Sequence, residues 1–476
     1  MGLKRDFSSA IFYTAVSKYS GILIQLIITA VLSRLLTPAD FGIVAIATIL
    51  IQFFYTISEA GIGPAIIQRK NLSAKEIDGL FTFTSLLGIL LGVLFCLSSH
   101  IIADYYENNS LINVCRWLSL LIVFSGADIV TNSLLLKQKR FKTIAIRSLI
   151  VQIVTGSISI YVATIGWGMY ALVLSAISSK GIIFIINYCC NPLGFNIHFS
   201  GIRRIASYST YQFMFNILNY FSRNVDKLII GKLIGMNQLG YYEKSYRLMM
   251  LPLSNISYVF TPVMHPIFSE MQHDKEFLLD KYLKLLTLIG CISFPLMAFL
   301  FFDARELILI IFGDQWIPSI LPFKILTLTA AMQVLHATTS GIFQAVDDTK
   351  GLFISSLISA ILLITGFIVS ALVFKTVIAV SISFLVTCSA GSLIVFYFLF
   401  NRFGKNLSLL WVTLKIPIII GISEFIVLGL TGTLIPKASN LFYLIINLLL
   451  TLAVAIVILW KTKYPNLRDI IKILHK

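Results

Sequence analysis

The chain has 476 residues, 58% hydrophobic and 12% charged, with a formal net charge of +16. A mean hydropathy of +0.91 exceeds what a water-soluble core of this size needs and points to an integral membrane protein. Apolar runs of about 20 residues joined by short links are the pattern of spanning helices and exclude a β-barrel.

In chain order, fourteen spans are predicted: 10–34, 41–62, 80–102, 112–135, 143–164, 167–190, 206–233, 240–264, 282–302, 318–343, 351–374, 377–400, 411–433 and 440–460. Lys4 and Arg5 precede the first. It is long enough to cross and lacks a small-residue cleavage site, so a span is expected there and not a cleaved leader. Alternate links are basic. They hold 22 Lys and Arg, among them Lys137, Lys139, Arg140 and Lys142, against 5 in the opposite links: Arg34, Lys232, Arg305, Lys375 and Lys437. That bias predicts both termini in the cytoplasm. It assigns the net charge to topology and anionic head groups, not to nucleic acid. The longest gaps, 191–205, 265–281 and 303–317, leave no room for a soluble domain. The cysteines (Cys96, Cys115, Cys189, Cys190, Cys291, Cys388) show no metal-ligand spacing and read as small buried hydrophobes.

The chain repeats itself. Thr14, Lys18, Gly21 and Gln25 align with Gln212, Asn216, Asn219 and Arg223 at an offset of 198, and SRLLTPADFG (33–42) aligns with GKLIGMNQLG (231–240). At an offset of 208, KRFKTIAIRSLI (139–150) lies over DDTKGLFISSLI (347–358), and Arg116, Ser125, Asp128 and Asn132 lie over Lys324, Gln333, His336 and Ser340. Spans 1–6 thus recur as spans 7–12. An even number per half makes the halves parallel, related by an axis along the membrane normal. The predicted organisation is a six-helix bundle at 1–204, a second at 205–400, and two extra helices with a basic tail at 401–476.

Polar residues at membrane depth are informative, because a charge at mid-bilayer costs about 2.5–3.5 kcal/mol on insertion scales. Gln212, Asn216, Asn219, Arg223 and Asp226 are spaced 4, 3, 4 and 3 apart, one face of a helix. Span 2 carries Thr48, Gln52, Thr56 and Glu59, and span 10 carries Thr329, Gln333, His336, Ser340 and Gln344. With spans 1, 4 and 7, five helices offer a polar face, which predicts a hydrated chamber between the halves. Its polar lining would be Thr14, Gln25, Gln52, Gln212, Asn216, Asn219 and Gln333. Its cations would be Lys18, Lys180, Arg223, Arg247 and Lys324, which favour an anionic cargo such as a phosphate or pyrophosphate. Glu59, Asp128 and Asp226 are candidates to carry a coupling H+ or Na+. Glu424, on an extra helix, is a weaker one. Structural alternatives stand beside these roles: an i, i+3 pair of Arg223 and Asp226, pairing of Lys18 with Glu59 or Asp128, a hydrogen-bonded helix contact for His336, and snorkelling of Arg116, Lys244, Arg247 and Lys324.

The stretches LSRLLTPADFGIVAIA (32–47), EAGIGPAIIQRKNLS (59–73), LLLKQKRFKTIAIRSL (134–149), GWGMYALV (166–173), RNVDKLIIGKLIGMNQLGYYEKSYRLMMLP (223–252) and ELILIIFGDQWIPSI (306–320) carry a resemblance. Together, and in this order, they resemble polysaccharide flippases of the multidrug/oligosaccharidyl-lipid/polysaccharide exporter superfamily, on the branch of colanic-acid and lipopolysaccharide exporters. The resemblance covers about residues 1–400. It implies an all-α membrane protein of fourteen helices, two six-helix bundles forming a V. It implies alternating access, and export of an undecaprenyl-diphosphate-linked oligosaccharide across the bacterial inner membrane, with contact to polysaccharide polymerase machinery as a further expectation. No cofactor, metal or enzyme activity is expected. The rival readings are an ion-coupled multidrug antiporter, whose lumen should be acidic, and a lipid II flippase. A different class, a membrane glycosyltransferase or polysaccharide polymerase, generally carries a large outer loop that is missing here.

Overall fold

Lipid offers no partner to backbone N–H and C=O groups, so each crossing segment must satisfy its own, and a helix does so within one segment. The computed structural model describes residues 2–59, 62–69, 72–197, 220–221, 223–270, 274–434 and 440–462, and every regular element among them is a helix. In order these are α1 (Gly2–Leu35), α2 (Pro38–Glu59), α3 (Ile62–Gln68), α4 (Ala74–Leu97), α5 (Ser99–Tyr106), α6 (Ser110–Lys137), α7 (Phe141–Thr164), α8 (Tyr170–Cys190) and α9 (223–233). There follow α10 (Met236–Glu270), α11 (Lys275–Phe302), α12 (Ala304–Ile311), a 3-10 turn (Asp314–Ser319), α13 (Ile320–Thr327), α14 (Ala330–Ala337) and α15 (Thr339–Ala345). The last are α16 (Thr349–Phe374), α17 (Val377–Arg402), α18 (Ser408–Thr413), α19 (Lys415–Leu434) and α20 (Asn440–Thr462).

Among the described residues eleven helices are long and apolar enough to cross a membrane, or twelve if the bent pair Asp314–Thr327 and Ala330–Ala345 is one span. The expected count of fourteen is not reached, for two local reasons. Span 7 lies largely outside the described residues. Span 8 is present as α10, which is not one of the eleven. Span 10 is not one straight helix: it bends by 50°. Thr327 and Thr329 there donate their hydroxyls to the carbonyls of Lys324 (2.8 Å) and Leu326 (2.6 Å). The backbone N–H groups of Leu328 and Thr329 also bond three residues back. Hydroxyls competing for carbonyls in this way bend helices. The link 303–317, expected as a loop, contains α12 and the start of the 3-10 turn.

Residue contacts divide the chain into two units, Met1–Gly240 and Tyr241–Lys476. In the first, α4 lies along α6, α6 along α8, and α1 along α7. In the second, α16 pairs with α17 and α11 with α19. Helix pairing in lipid relies on close packing, because lipid is as apolar as the side chains. Glycines permit that approach: a Cβ on Gly126 would lie 2.7 Å from the carbonyl oxygen of Thr84, and one on Gly88 3.1 Å from the Cα of Gly126. Large apolar side chains such as Leu86, Leu90, Val93 and Leu97 of α4 are left exposed, as a lipid-facing surface requires.

The internal repeat also appears as a contact within the first unit. Thr37 begins α2: its hydroxyl accepts from the N–H of Asp40 (3.3 Å), while the Asp40 carboxylate accepts from the N–H of Thr37 (2.9 Å). This is a capping box, and Pro38 takes the first helical position, where its missing N–H is not needed. A Cβ on Gly42 would lie 2.0 Å from the carbonyl oxygen of Met236, and one on Gly240 would lie 2.0 Å from that of Pro38. Pro38 and Gly42 correspond to Met236 and Gly240 at the offset of 198. The two helix starts therefore cross reciprocally, glycine against backbone.

Gly42→Ala and Gly240→Ala should each force the crossing apart and cost about 1–3 kcal/mol, read as a lower melting temperature in detergent. Gly429→Ala, whose new methyl would meet only Phe302 at 3.7 Å, should melt with the wild type.

Candidate functional site

A cluster of polar residues lies in the first unit, where α2, α3, α6 and α8 surround a cavity of about 80 Å3. Its wall is made by Tyr55 and Glu59 of α2, Gly63 of α3, Ser125, Asp128, Ile129, Asn132 and Ser133 of α6, and Lys180 of α8. That volume exceeds the roughly 10–15 Å3 a water needs. It suits water or a small ion, not a sugar.

Behind the wall lies a buried network. Asp128 Oδ1 accepts from Asn187 Nδ2 at 2.6 Å and from the hydroxyl of Thr131 at 3.1 Å. The same Asn187 accepts through Oδ1 from the guanidinium of Arg147. A second guanidinium nitrogen reaches Asn132 Oδ1 at 3.5 Å. Asp128, Arg147 and Asn187 are 8%, 7% and 0% exposed. The Asn187 amide is thus a neutral bridge between a buried cation and a buried anion, donating to one and accepting from the other. Lys180 Nζ stands 5.7 Å from the centre of the Tyr55 ring, a cation–π distance, within electrostatic reach of Glu59 and Asp128. Two carboxylates are therefore set against two cations, Arg147 fixed behind the wall and Lys180 in it. Ser125 Oγ is buried and has no hydrogen-bond partner among the described residues.

Of the residues expected to act, Glu59, Asp128 and Lys180 come together here. Lys180, expected on a cationic wall, stands among carboxylates. Lys18 is half-buried on α1 and Arg223 is exposed at the start of α9; neither lines this cavity. Asp226 is buried. Thr14, Gln25 and Gln52 are exposed. Part of the α1 stripe is a helix contact: Gln152 of α7 donates to the carbonyl of Gly21 at 2.9 Å and to Gln25 Oε1 at 3.2 Å. Gln212, Asn216 and Asn219 lie outside the described residues. In the second unit Arg247 is exposed. Gln333 donates to the Thr329 hydroxyl at 2.6 Å, and His336 pairs with Ser392 at 3.3 Å.

Two expected snorkellers differ. Lys244 is 3% exposed, with Nζ 4.9 Å and 5.2 Å from the ring centres of Phe312 and Trp316. Lys324 lies 5.4 Å from that of Phe301. Aromatic faces take the place of head-group water. Outside the spans, Lys232 donates to Glu107 at 2.7 Å and holds that exposed carboxyl below its usual range.

Arg147 and Asn187 were not singled out from sequence. A signal existed for Arg147, a charge inside span 5 subject to the same cost as the others. Asn187 gives none, since a lone neutral amide has no periodicity to mark it.

A family model described as "Polysaccharide biosynthesis protein" matches residues 31–321. Among curated relatives, the teichuronic acid biosynthesis protein TuaB of Bacillus subtilis (strain 168) is 24% identical over 339 residues, 70% of each chain. The lipopolysaccharide biosynthesis protein WzxC of Escherichia coli (strain K12) is 25% identical over 327 residues, 68% of this chain and 66% of that one. Among solved structures, the lipid II flippase MurJ in an inward closed conformation superposes with a TM-score of 0.75 at 16% identity, covering 97% of this chain and all (100%) of that one. An inward-facing multidrug resistance MATE transporter of the MOP superfamily, the exporter superfamily named above, gives 0.64 at 16% identity, covering 83% and 98%. The fold is that of this superfamily.

Asn187→Leu would leave Asp128 and Arg147 unbridged. It should destabilise the protein by about 3–5 kcal/mol, followed by thermal unfolding in detergent. Thr14→Ala, at an exposed position, should stay within about 0.5 kcal/mol.

Proposed function

The chain belongs to the polysaccharide biosynthesis protein family, and from that premise we propose that it is a flippase. It carries an undecaprenyl-diphosphate-linked oligosaccharide, such as an O-antigen, capsule or exopolysaccharide repeat unit, from the cytoplasmic to the periplasmic leaflet. The observation that carries this reading is the meeting of a polysaccharide-biosynthesis family match with a fold that a lipid II flippase shares over 97% of the chain. No covalent bond is made or broken in the cycle. The setting is the bacterial inner membrane with both termini cytoplasmic, as the bias of basic links argues. Contact with polysaccharide polymerase machinery belongs to the same reading.

In this cycle residues 1–204 and 205–400 act as two bundles that open alternately to either side. The sugar and diphosphate occupy the chamber between them while the polyprenyl tail stays in lipid. Lys18, Lys180 and Arg223 replace the water that the diphosphate loses, with Arg247 and Lys324 on the same cationic path. The described geometry supports a specific link to ion coupling. Lys180 shares its cavity with Glu59 and Asp128. A diphosphate that engages Lys180 withdraws a counter-charge from those carboxylates and raises their affinity for H+ or Na+. By reciprocity, an ion held there frees Lys180 for the diphosphate. Asp226 is a third candidate for the ion. The same carboxylates, on a fold shared with a MATE transporter, support a second reading as an ion-coupled drug antiporter.

Purified protein in liposomes with a short diphosphate-linked oligosaccharide lipid should move it between leaflets. Lys18→Ala and Arg223→Ala should each lose most of that transport at unchanged protein level. Protein that is folded yet inert toward several lipid-linked sugars, and that instead expels cationic dyes, would establish the antiporter reading.

For Lys180→Ala, the expected outcome is loss of transport together with loss of any dependence on an imposed pH or Na+ gradient. A rate that falls while the gradient dependence is kept would separate Lys180 from the ion.

A further inference from the structure

Glu424 lies near the middle of α19, on one of the two helices outside the repeat. It is 0% exposed, and among the described residues neither carboxyl oxygen has a hydrogen-bond partner. The turns around it are apolar and tightly packed. Three residues before it, a Cβ on Gly421 would lie 3.2 Å from the Phe294 ring. The next residue, Phe425, packs on Phe301 and Phe302 with ring centres 5.4 and 5.2 Å apart.

Among the described residues, the elements that share most contacts with α19 are α11, α20 and α18, and they offer no counter-charge at this depth. Between Lys284 and Asp303, α11 carries only Cys291 as a titratable group, and Lys284 is engaged with Asp280 at 2.7 Å. Helix α20 carries Tyr443 near its start and Lys461 at its end, and α18 carries none. On α19 itself the other charge is Lys415, nine residues away, about 13–14 Å along the axis.

Asp303 is a useful contrast. It too is 0% exposed, but its Oδ1 accepts from Asn447 Nδ2 at 2.8 Å, and Asn447 Oδ1 in turn accepts from the Thr431 hydroxyl at 3.1 Å. That chain ties the α11 end to α19 and α20. Glu424, seven residues before Thr431, receives nothing of the kind. A carboxylate ion in this place would have lost its water and found neither donor nor cation, whereas the neutral acid carries no charge to solvate.

We propose that Glu424 is a proton-binding site of the extra helix pair. It holds its carboxyl proton while α19 is packed against α11 and α20, and it exchanges that proton with water only when this packing opens. The site is separate from Glu59 and Asp128 and rests on burial and missing partners alone, not on the flippase reading.

Infrared difference spectra of the full chain in liposomes, wild type against Glu424→Gln, test it. The variant should lose one carbonyl stretch of a protonated acid. Loss of carboxylate bands instead overturns the proposal. Should the variant fail to fold, the wild type decides through dicyclohexylcarbodiimide, which partitions into apolar sites and reacts with protonated acids. The acid's proton passes to a carbodiimide nitrogen and its oxygen adds to the central carbon; the O-acylisourea then rearranges to a stable N-acylurea. An adduct on Glu424 located by mass spectrometry supports the proposal, and adducts on other carboxyls with Glu424 unmodified overturn it. Neither readout involves a lipid-linked sugar, so failure here is distinct from failure to flip.

Discussion

A charge at membrane depth must be matched inside the protein, because lipid supplies it with neither water nor a counter-ion. The chain meets this constraint in three ways. Asp128 and Arg147 are joined through one amide, that of Asn187, which bonds to each of them. Lys244 lies close to two aromatic rings. Glu424 has neither solution, which leaves the neutral acid as the form the site can hold. The three differ in what they allow to move. A bridged pair is rigid and an ammonium beside rings can slide, whereas a neutral acid responds to water reaching it.

The cavity wall combines the first kind of solution with a looser one. Arg147 is fixed behind the wall, so Asp128 keeps a partner whatever happens in front of it. Lys180 is held mainly by a ring face and by long-range attraction to Glu59 and Asp128. Of the two cations it is the one that lines the cavity itself.

Close backbone approach is the other recurring feature. Where Gly42 meets Met236 and Gly240 meets Pro38, two copies of one segment use the same device on each other. The repeat offset that was legible in the letters is thus also a local two-fold contact. Small residues do similar work between α4 and α6, where Gly88 and Gly126 face each other, since in lipid helices adhere by fit.

Residue order alone determined the membrane setting, the all-helical class, the repeat and the rarity of buried charge, because each follows from composition, period or transfer cost along a single segment. It also marked Glu59, Asp128 and Lys180 one by one. Only the tertiary structure decided which of these meet, because partners on α2, α6, α7 and α8 are far apart in sequence and side-chain reach is a property of packing. For the same reason Asn187 was invisible as a bridge, the Gln25 stripe was read as lumen where it partly contacts Gln152, and Lys244 was sent to the surface when aromatic rings could hold it inside. The bend at Thr327–Thr329 was likewise hidden, since the apolar period continues through it while the hydroxyls turn the backbone. Hydropathy reports what each residue prefers; neighbours in space determine how that preference is met.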